Sequence, residues 1–231
     1  MQNINPNETA KFDALAPHWW DESGELSTLH DINPARVAYI HEKANLKNKT
    51  VLDIGCGGGI LTEAMCRLGA HTTGIDAAKD AIQVAQLHAL SEELNIDYQV
   101  STAEEYAQNH PNTFDVITCL EMLEHVPEPH SVIAACHALL KPNGLLFLST
   151  LNRTPKAFLG AIVAAEYLFK MIPRGTHHYE SFIKPAELAA VVSAQDFEIL
   201  EIKGLSYHPF TKKARISNDI SINYFMLARK A

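Results

Sequence analysis

The sequence lacks features that mark secreted, membrane-spanning and nucleic-acid-binding proteins. Its four cysteines form no Cys-x-x-Cys pair, and no apolar run approaches the roughly 20 residues that a membrane-spanning helix needs. Basic residues are scarce, because 19 lysines and arginines face 27 aspartates and glutamates, for a formal net charge of -8. A phosphate backbone requires clustered basic side chains, so we expect no nucleic acid partner. The N-terminus has no basic-then-apolar signal, and we expect a cytoplasmic protein with reduced thiols.

The apolar content is sufficient for one folded domain over residues 1–231. Of the 231 residues, 47% are hydrophobic, and no repeat or low-complexity tract interrupts them. Short apolar runs alternate with amphipathic stretches, which is typical of a parallel, doubly wound α/β sheet. We predict strands near 51–55, 71–76, 97–101, 114–120 and 144–150. Helices are predicted near 60–68, 79–94, 103–109 and 130–140.

Two strand-like runs, 197–202 and 220–227, break this alternation near the C-terminus. No convincing helix separates them, so we expect them to pair antiparallel. The sequence therefore predicts a seven-stranded, mostly parallel sheet with an antiparallel last strand. An N-terminal helical cap (8–46) precedes the sheet, and an insertion (about 153–184) follows the fifth strand.

A glycine-rich stretch, VLDIGCGGGIL from Val51 to Leu61, reads as a strand, a tight turn and the start of a helix. Gly55 and Gly57 let the backbone approach a ligand closely. A dinucleotide fingerprint counted from Gly55 would require glycine at position 60, which is Ile60. Asp53 would repel a pyrophosphate and attract the ammonium and sulfonium of S-adenosylmethionine (SAM). The pattern therefore favours SAM over a dinucleotide.

The ends of the later strands supply further candidate cofactor contacts on the same rim of the sheet. Asp76 ends the second strand and can accept hydrogen bonds from two ribose hydroxyls; it can also cap the following helix. Ala103 and Glu104 are placed to flank an adenine. Leu120, at the end of the fourth strand, can meet the cofactor through its backbone and side chain.

The N-terminal cap contains two predicted helices. Residues 8–20, with a Trp pair at 19 and 20, form the first. Asn33 and Pro34 are typical of an N-cap and a first helical position, which predicts a second helix to about Ala44. Arg36 would then lie in a first turn, where the helix dipole disfavours a cation. An anionic partner, such as the methionyl carboxylate, would explain it; a solvated surface arginine is the alternative.

With these motifs in place, the chain resembles the ubiquinone biosynthesis O-methyltransferase family, the 3-demethylubiquinol 3-O-methyltransferases and polyprenyl-catechol O-methyltransferases. The resemblance covers nearly the whole chain, and its most specific motifs are EMLEHVP (121–127), STLNR (149–153) and FIKP (182–185). It implies a Rossmann-like class I methyltransferase fold and the family's cofactor contacts at Arg36, Gly55, Asp76 and Leu120. Many members have Met where this chain has Leu120, which is similar in volume.

The resemblance implies methyl transfer from SAM to a ring hydroxyl of polyprenylated catechol and demethylubiquinol intermediates. Two alternatives stay open. One is a methyltransferase of another small phenol, and the other is a cofactor-binding scaffold of a quinone-synthesis enzyme complex.

His125 and Glu121 are the candidate catalytic residues, and Glu121, Glu124 and His125 form a candidate metal site. A phenol has a pKa of about 10, so a base must remove its proton at neutral pH, and His125 is suited to that role. On a helical turn the three side chains share one face, and two carboxylates with an imidazole can hold Mg²⁺ or another divalent metal. His177 or His178 could add a ligand. The alternative is that the glutamates are solvated and His125 braces the following loop.

The insertion contains an apolar stretch, 156–172, with basic residues up to 174. It is too short to span a bilayer and suits an interfacial helix or a lid over an apolar substrate tail. Contact through 156–174 would place the protein peripherally on the inner face of the cytoplasmic membrane. A helix packed on the core is the alternative.

Overall fold

The computed structural model describes residues 3–159 and 179–231. Its centre is a single sheet in the order β3-β2-β1-β4-β5-β8-β6-β7. The strands are β1 (Thr50–Ile54), β2 (His71–Asp76), β3 (Asp97–Val100), β4 (Phe114–Leu120), β5 (Leu140–Leu151), β6 (Phe197–His208), β7 (Lys213–Ser217) and β8 (Asn223–Lys230).

The first five strands are parallel, and β8 pairs antiparallel with both β5 and β6. This arrangement confirms the class I methyltransferase fold and the antiparallel pairing of the two C-terminal runs. The sheet has one strand more than expected, because β7 forms a hairpin with β6 at the edge. In β7, Ala214 and Ile216 pack towards the core while Lys213 and Arg215 are exposed, a period-two pattern too short to stand out in the sequence.

Side chains alternate between the two faces of the sheet and build a core on each. Phe147 and Phe225 pack on one face beneath the N-terminal part of the chain, whereas Leu146, Leu148 and Met226 pack on the other. The helices are α1 (Pro6–Leu15), α2 (Ser27–Ala44), α3 (Ile60–Arg67), α4 (Lys79–Ser91), α5 (Ala103–Ala107), α6 (Pro129–Leu139), α7 (Pro155–Ala157) and α8 (Pro185–Ser193). Short 3₁₀ turns are η1 (Ala16–His18), η2 (Leu123–His125) and η3 (Tyr179–Ser181).

The N-terminal cap differs from the prediction in both helices. The first α-helix ends at Leu15 and continues only as the 3₁₀ turn η1, because Pro17 has no N–H to donate to the preceding turn. The second helix begins at Ser27, so Pro34 lies inside it and Asn33 is not its N-cap. The Asn33 side chain instead donates to the carbonyl of Ile60. Arg36 therefore lies in the middle of α2, and the argument from a first-turn dipole was wrong.

The predicted insertion lies largely outside the described residues. Residues 160–178, which include His177 and His178, are not among them. Across the part of the chain that is described, no helix is long and apolar enough to cross a bilayer.

Candidate active site

The glycine loop leaves β1 in a conformation fixed by β2. The amides of Gly55 and Cys56 both donate to the carbonyl of Ile75, and the amide of Gly57 donates to Oδ2 of Asp76 at 2.9 Å. Gly55 and Gly57 have φ values of 71° and 52°, a region that side chains disfavour. The loop thus connects β1 to the start of α3 at the carboxyl edge of the sheet.

The indole of Trp19 lies against this loop. A Cβ added at Gly57 or Gly58 would overlap the Trp19 ring. Nε1 of Trp20 donates to the carbonyl of Gly58 at 2.9 Å. The N-terminal segment, which covers the loop, is therefore one reason why glycine is required at positions 57 and 58. Trp19 belongs to the wall of the site.

Both carboxylate oxygens of Asp76 accept hydrogen bonds from backbone amides. Oδ2 accepts from Gly57, and Oδ1 accepts from the amide of Ala78 at 2.8 Å, next to the start of α4. Burial raises the pKa of this carboxyl, although the hydrogen bonds from Ala78 and Gly57 oppose the rise. A carboxylate offers about four lone-pair sites, so two remain for ribose hydroxyls. The capping and the ligand-binding interpretations are compatible.

Asp53 is a buried carboxylate, only 3% exposed. Its two oxygens accept from the hydroxyls of Thr62 and Thr118, each at 2.6 Å. Burial raises the pKa of Asp53 to about 6, against the lowering effect of these hydroxyls and of the Arg36 charge. Two neutral donors do not balance an ionised carboxylate in a low-dielectric site, so the position favours a cationic ligand.

Arg36 is buried and does have an anionic partner. Its Nη2 lies 3.2 Å from Oε1 of Glu121, and its Nε has no hydrogen-bond partner among the described residues. Burial lowers the pKa of the guanidinium, while the charges of Glu121, Asp53 and Glu124 raise it again. A buried guanidinium with an unsatisfied N–H fits a ligand carboxylate.

Glu121 follows β4 with a φ of 53° and is held by three donors. Besides Arg36, the Ser149 hydroxyl at 2.6 Å and the Asn223 amide at 2.7 Å both donate to Oε1. None of these contacts uses Oε2. The side chain is therefore fixed by strands β5 and β8 as well as by α2.

His125 pairs with a residue far away in the sequence. Its Nδ1 lies 2.8 Å from Oε2 of Glu8, which is on α1, and the ring of Phe12 meets the imidazole edge-on with centroids 5.1 Å apart. Burial lowers the pKa of His125, and the Glu8 carboxylate partly offsets that effect. For Glu8, hydrogen bonds from Lys11 and His125 outweigh burial, which acts in the opposite direction, and lower the pKa.

Glu124, the third member of the predicted metal set, is bound to β5 and does not line the site. Its Oε2 accepts from the Thr150 hydroxyl at 2.8 Å, and its Oε1 is buried without a partner among the described residues. Burial and the neighbouring Glu121 charge raise its pKa well above the usual range. Within residues 3–159 and 179–231, no three His, Cys, Asp or Glu side chains converge in an arrangement that could hold a metal. In this arrangement the three predicted ligands do not form a ready-made site.

One cavity of about 610 Å³ brings most of the candidate residues together. Its wall combines the N-terminal cap, the glycine loop and the carboxyl ends of the strands. The predicted site residues on it are Arg36, Asp53, Gly55, Gly57, Asp76, Ala103, Glu104, Leu120, Glu121 and His125, whereas Glu124 is not part of the wall. Glu104 is also tied to the N-terminal segment, since Asn3 donates to its Oε1 at 2.7 Å.

Known proteins with similar sequences show the family of this chain. Residues 28–202 match the family described as a methyltransferase domain. The chain is 52% identical over 230 residues to the ubiquinone biosynthesis O-methyltransferase of Pseudomonas paraeruginosa, covering 100% of this chain and 99% of that protein. It is 54% identical to the protein of the same name from Nitrosococcus oceani, covering 99% and 97%. The chain belongs to the ubiquinone biosynthesis O-methyltransferase family. It is therefore a SAM-dependent methyltransferase.

Solved structures agree on the fold alone. The magnesium protoporphyrin IX methyltransferase of Synechocystis PCC 6803, crystallised with bound SAH, superposes with a TM-score of 0.70 at 17% identity, covering 97% of this chain and 96% of that one. At this identity the similarity shows the Rossmann-like methyltransferase architecture and does not identify the acceptor.

Several residues at the site had no signal in the sequence of this family member. Glu8 and Asn223 are ordinary polar residues of a helix and a strand, and only packing brings them to His125 and Glu121. Ser149 belongs to the STLNR motif, but its hydrogen bond to Glu121 was not predicted. One local signal was available and missed: Thr102 and Glu105 form a capping box that starts α5 beside Ala103 and Glu104.

The raised pKa of Asp53 predicts that the free energy of unfolding falls as pH rises. The folded pKa of about 6 lies above the ordinary 3.8, so the stability linked to this group is fully present below about pH 4 and is lost as pH rises through 6. Asp53→Asn does not titrate. We expect its free energy of unfolding, relative to wild type, to rise by up to about 3 kcal/mol between pH 4 and pH 7.

Urea unfolding of the ligand-free proteins at both pH values measures this difference. Any constant loss of hydrogen bonding to Thr62 and Thr118 cancels in the comparison. Asp80→Asn, at an exposed carboxylate on α4, is the matched control. A difference that does not change with pH would contradict the assignment.

Asp76 gives a second prediction, for cofactor affinity. Asp76→Asn keeps the shape of the side chain but removes the charge and replaces one carboxylate oxygen by an amide NH₂ group, which only donates and cannot accept from the backbone amide of Gly57 or Ala78. We expect S-adenosylhomocysteine (SAH) to bind about tenfold or more weakly, because the ribose hydroxyls lose charge-assisted acceptors. Calorimetry measures the change, with Asp80→Asn as control. Equal SAH affinity in wild type and Asp76→Asn would exclude a ribose contact.

Proposed function

We propose that this family member transfers the methyl group of SAM to a ring hydroxyl of polyprenylated catechol and demethylubiquinol intermediates, with His125 as the general base. Family membership makes it a SAM-dependent O-methyltransferase of ubiquinone biosynthesis. The observation that carries the catalytic assignment is that one cavity holds the glycine loop, the carboxylates at the strand ends and a buried imidazole.

The cofactor contacts that we propose follow from charge and hydrogen-bonding capacity. Asp76 would accept from the ribose hydroxyls, and Ala103 and Glu104 would flank the adenine. Arg36, which lines the cavity, would bind the methionyl carboxylate, while Asp53 would offset the ammonium and sulfonium. Gly55 and Gly57 would allow close backbone approach, and Leu120 would line the apolar side.

When bound, SAM supplies a methyl group on a positively charged sulfur, which leaves as the neutral thioether SAH. The protein has to hold the acceptor oxygen in line with that carbon and remove its proton. Nδ1 of His125 is engaged by Glu8, and no hydrogen bond of the described residues involves Nε2. Because burial lowers the pKa of His125, the ring is neutral at physiological pH and Nε2 can take the phenolic proton.

The remaining parts of the proposal concern the acceptor's tail and the partners of the chain. Leu29, Ile32 and Leu205 belong to the apolar part of the cavity wall, which suits a polyprenyl chain. Contact of 156–174 with the inner face of the membrane stays a prediction, as do association with a quinone-synthesis complex and the single-domain organisation of residues 1–231.

His125→Gln tests the base. We expect kcat to fall about 10²-fold or more with SAH affinity unchanged, because the amide cannot accept the phenolic proton. Turnover is measured with labelled SAM and a panel of catechols and demethylquinols. His130→Gln, at an exposed histidine five residues further on, is the matched control. A His125→Gln protein that keeps full turnover would remove the base assignment, and one that is inactive in vitro yet restores quinone production in cells would favour a scaffold.

The metal prediction for Glu121, Glu124 and His125 is a second candidate arrangement and is tested separately. Since Nδ1 of His125 is held by Glu8, an ion bound to this ring would occupy Nε2, and the ion rather than the imidazole would then promote loss of the phenolic proton. To join such a site, Glu124 would have to leave Thr150, and a divalent cation would relieve its repulsion with Glu121. We expect dialysis against EDTA to lower turnover and Mg²⁺ to restore it. Unchanged turnover after dialysis, together with an active Glu121→Ala variant, would remove the metal from the proposal.

A further inference from the structure

The edge hairpin of the sheet extends past the strand beside it. Strand β6 is antiparallel to β8, which is antiparallel to β5, so β6 ends at the same edge of the sheet as the first five strands. The last residue of β6 that pairs with β8 is Gly204, whereas pairing with β7 continues to His208. Residues 205–216, the extended hairpin, therefore project beyond the carboxyl edge of the sheet, where the cavity lies.

One face of the extended hairpin packs on α2. Leu205 and Tyr207 alternate on β6 and share this face, and both belong to the apolar cluster that includes Leu29 and Ile32 of α2. All four of these residues also line the cavity. They form an apolar lobe of the cavity between α2 and the extended hairpin.

A hydrogen bond connects the two walls of the apolar lobe. The Tyr207 hydroxyl donates to Oδ2 of Asp31 on α2 at 2.6 Å. Burial and the Asp31 carboxylate raise the pKa of Tyr207 to about 12, so the hydroxyl keeps its proton. A second bond of this kind lies further back along β6, where Tyr39 of α2 donates to Oε1 of Glu201 at 2.8 Å. Of the two tyrosines, only Tyr207 lines the cavity.

The loop before β8 provides a third wall. A Cβ added at Gly204 would overlap the carbonyl of Asp219, so this loop lies directly on β6. Asp219 and Ile222 of the loop line the cavity. The Asp219 side chain is 55% exposed and pairs with Lys156 at 2.8 Å. The cavity thus reaches the surface of the protein beside the apolar lobe.

We propose that Tyr207 is a specificity-determining residue, whose ring receives the first prenyl units of the acceptor's tail in the apolar lobe. This inference rests on the proposed function, in which the acceptor carries a polyprenyl chain. A hydrocarbon chain gains affinity from the apolar surface that it buries, and the walls of the lobe supply leucine, isoleucine and tyrosine side chains.

The order of the strands agrees with this placement. Strand β6 is four strands away from β1, which is about 19 Å at ~4.8 Å per strand. The glycine loop and the apolar lobe therefore lie at opposite ends of the cavity, and the catechol ring fits between them, at the ends of β4 and β5. The bond from Tyr207 to Asp31 fixes the separation of α2 and the extended hairpin, so the lobe keeps its width before the tail binds.

Two variants test the role of Tyr207. Tyr207→Ala removes the ring, and Tyr207→Phe removes only the hydroxyl. The readout is the ratio of kcat/KM for a farnesylated catechol to kcat/KM for the same catechol without the chain, measured with labelled SAM. We expect this ratio to fall about tenfold or more in Tyr207→Ala, through a higher KM for the farnesylated acceptor, because the chain loses its apolar contact. In Tyr207→Phe we expect a fall of about threefold, because the lobe is less rigid.

SAH affinity and the turnover of the chain-free catechol should stay at the wild-type level in both variants. Tyr39→Phe is the matched control, because it removes a hydroxyl–carboxylate bond between the same two elements without changing the cavity wall. Its preference for the farnesylated catechol should equal that of wild type.

Binding of the chain is measured independently of methyl transfer. A farnesylated catechol with both hydroxyls already methylated cannot accept a methyl group, and calorimetry on the SAH complex should show that Tyr207→Ala binds it more weakly than wild type does. An unchanged chain preference in folded Tyr207→Ala, or in Tyr207→Phe if the alanine variant does not fold, would overturn the inference. If wild type methylates neither catechol, the proposed function has failed, and the calorimetric comparison still decides the role of Tyr207.

Discussion

The structure depends on an excess of negative charge at the carboxyl ends of its parallel strands. Asp53, Asp76 and Glu121 line the cavity there together with the buried guanidinium of Arg36, and Glu124 lies outside its wall. Burial raises the pKa of Asp53 and Asp76, which means that each of these carboxyls is ionised at an energetic cost. Ligands that carry an ammonium and a sulfonium reduce this cost, whereas a pyrophosphate would increase it. The preference for SAM is thus a property of the charge balance more than of the glycines.

The N-terminal cap contributes residues to this site. It covers the glycine loop with Trp19, holds Glu104 through Asn3 and brings Glu8 to His125. The segment that carries no recognisable catalytic motif therefore shapes both ends of the cavity.

The fold and the family of this chain are shown by different comparisons. Solved structures at 17% identity share the sheet and the helices, and a fold of this kind hosts many acceptors. Full-length relatives at 52% and 54% identity determine the family. The proposed phenolic acceptor with an apolar tail rests on the apolar wall of the cavity and on the partly buried imidazole of His125.

The sequence by itself determined the parts that depend on local order: the alternation of strands and helices, the turn from Asp53 through the glycines, and Asp76 at the end of its strand. These are set by side-chain periodicity and by backbone conformations of neighbouring residues, which a single sequence displays. It misplaced the start of α2, because packing of Leu29 and Ile32 carries the helix through Pro34. Only the tertiary structure decided the pairs Glu8 with His125 and Asn223 with Glu121, separated by 117 and 102 positions. Their contact energies arise when distant elements pack together, and no local pattern records them.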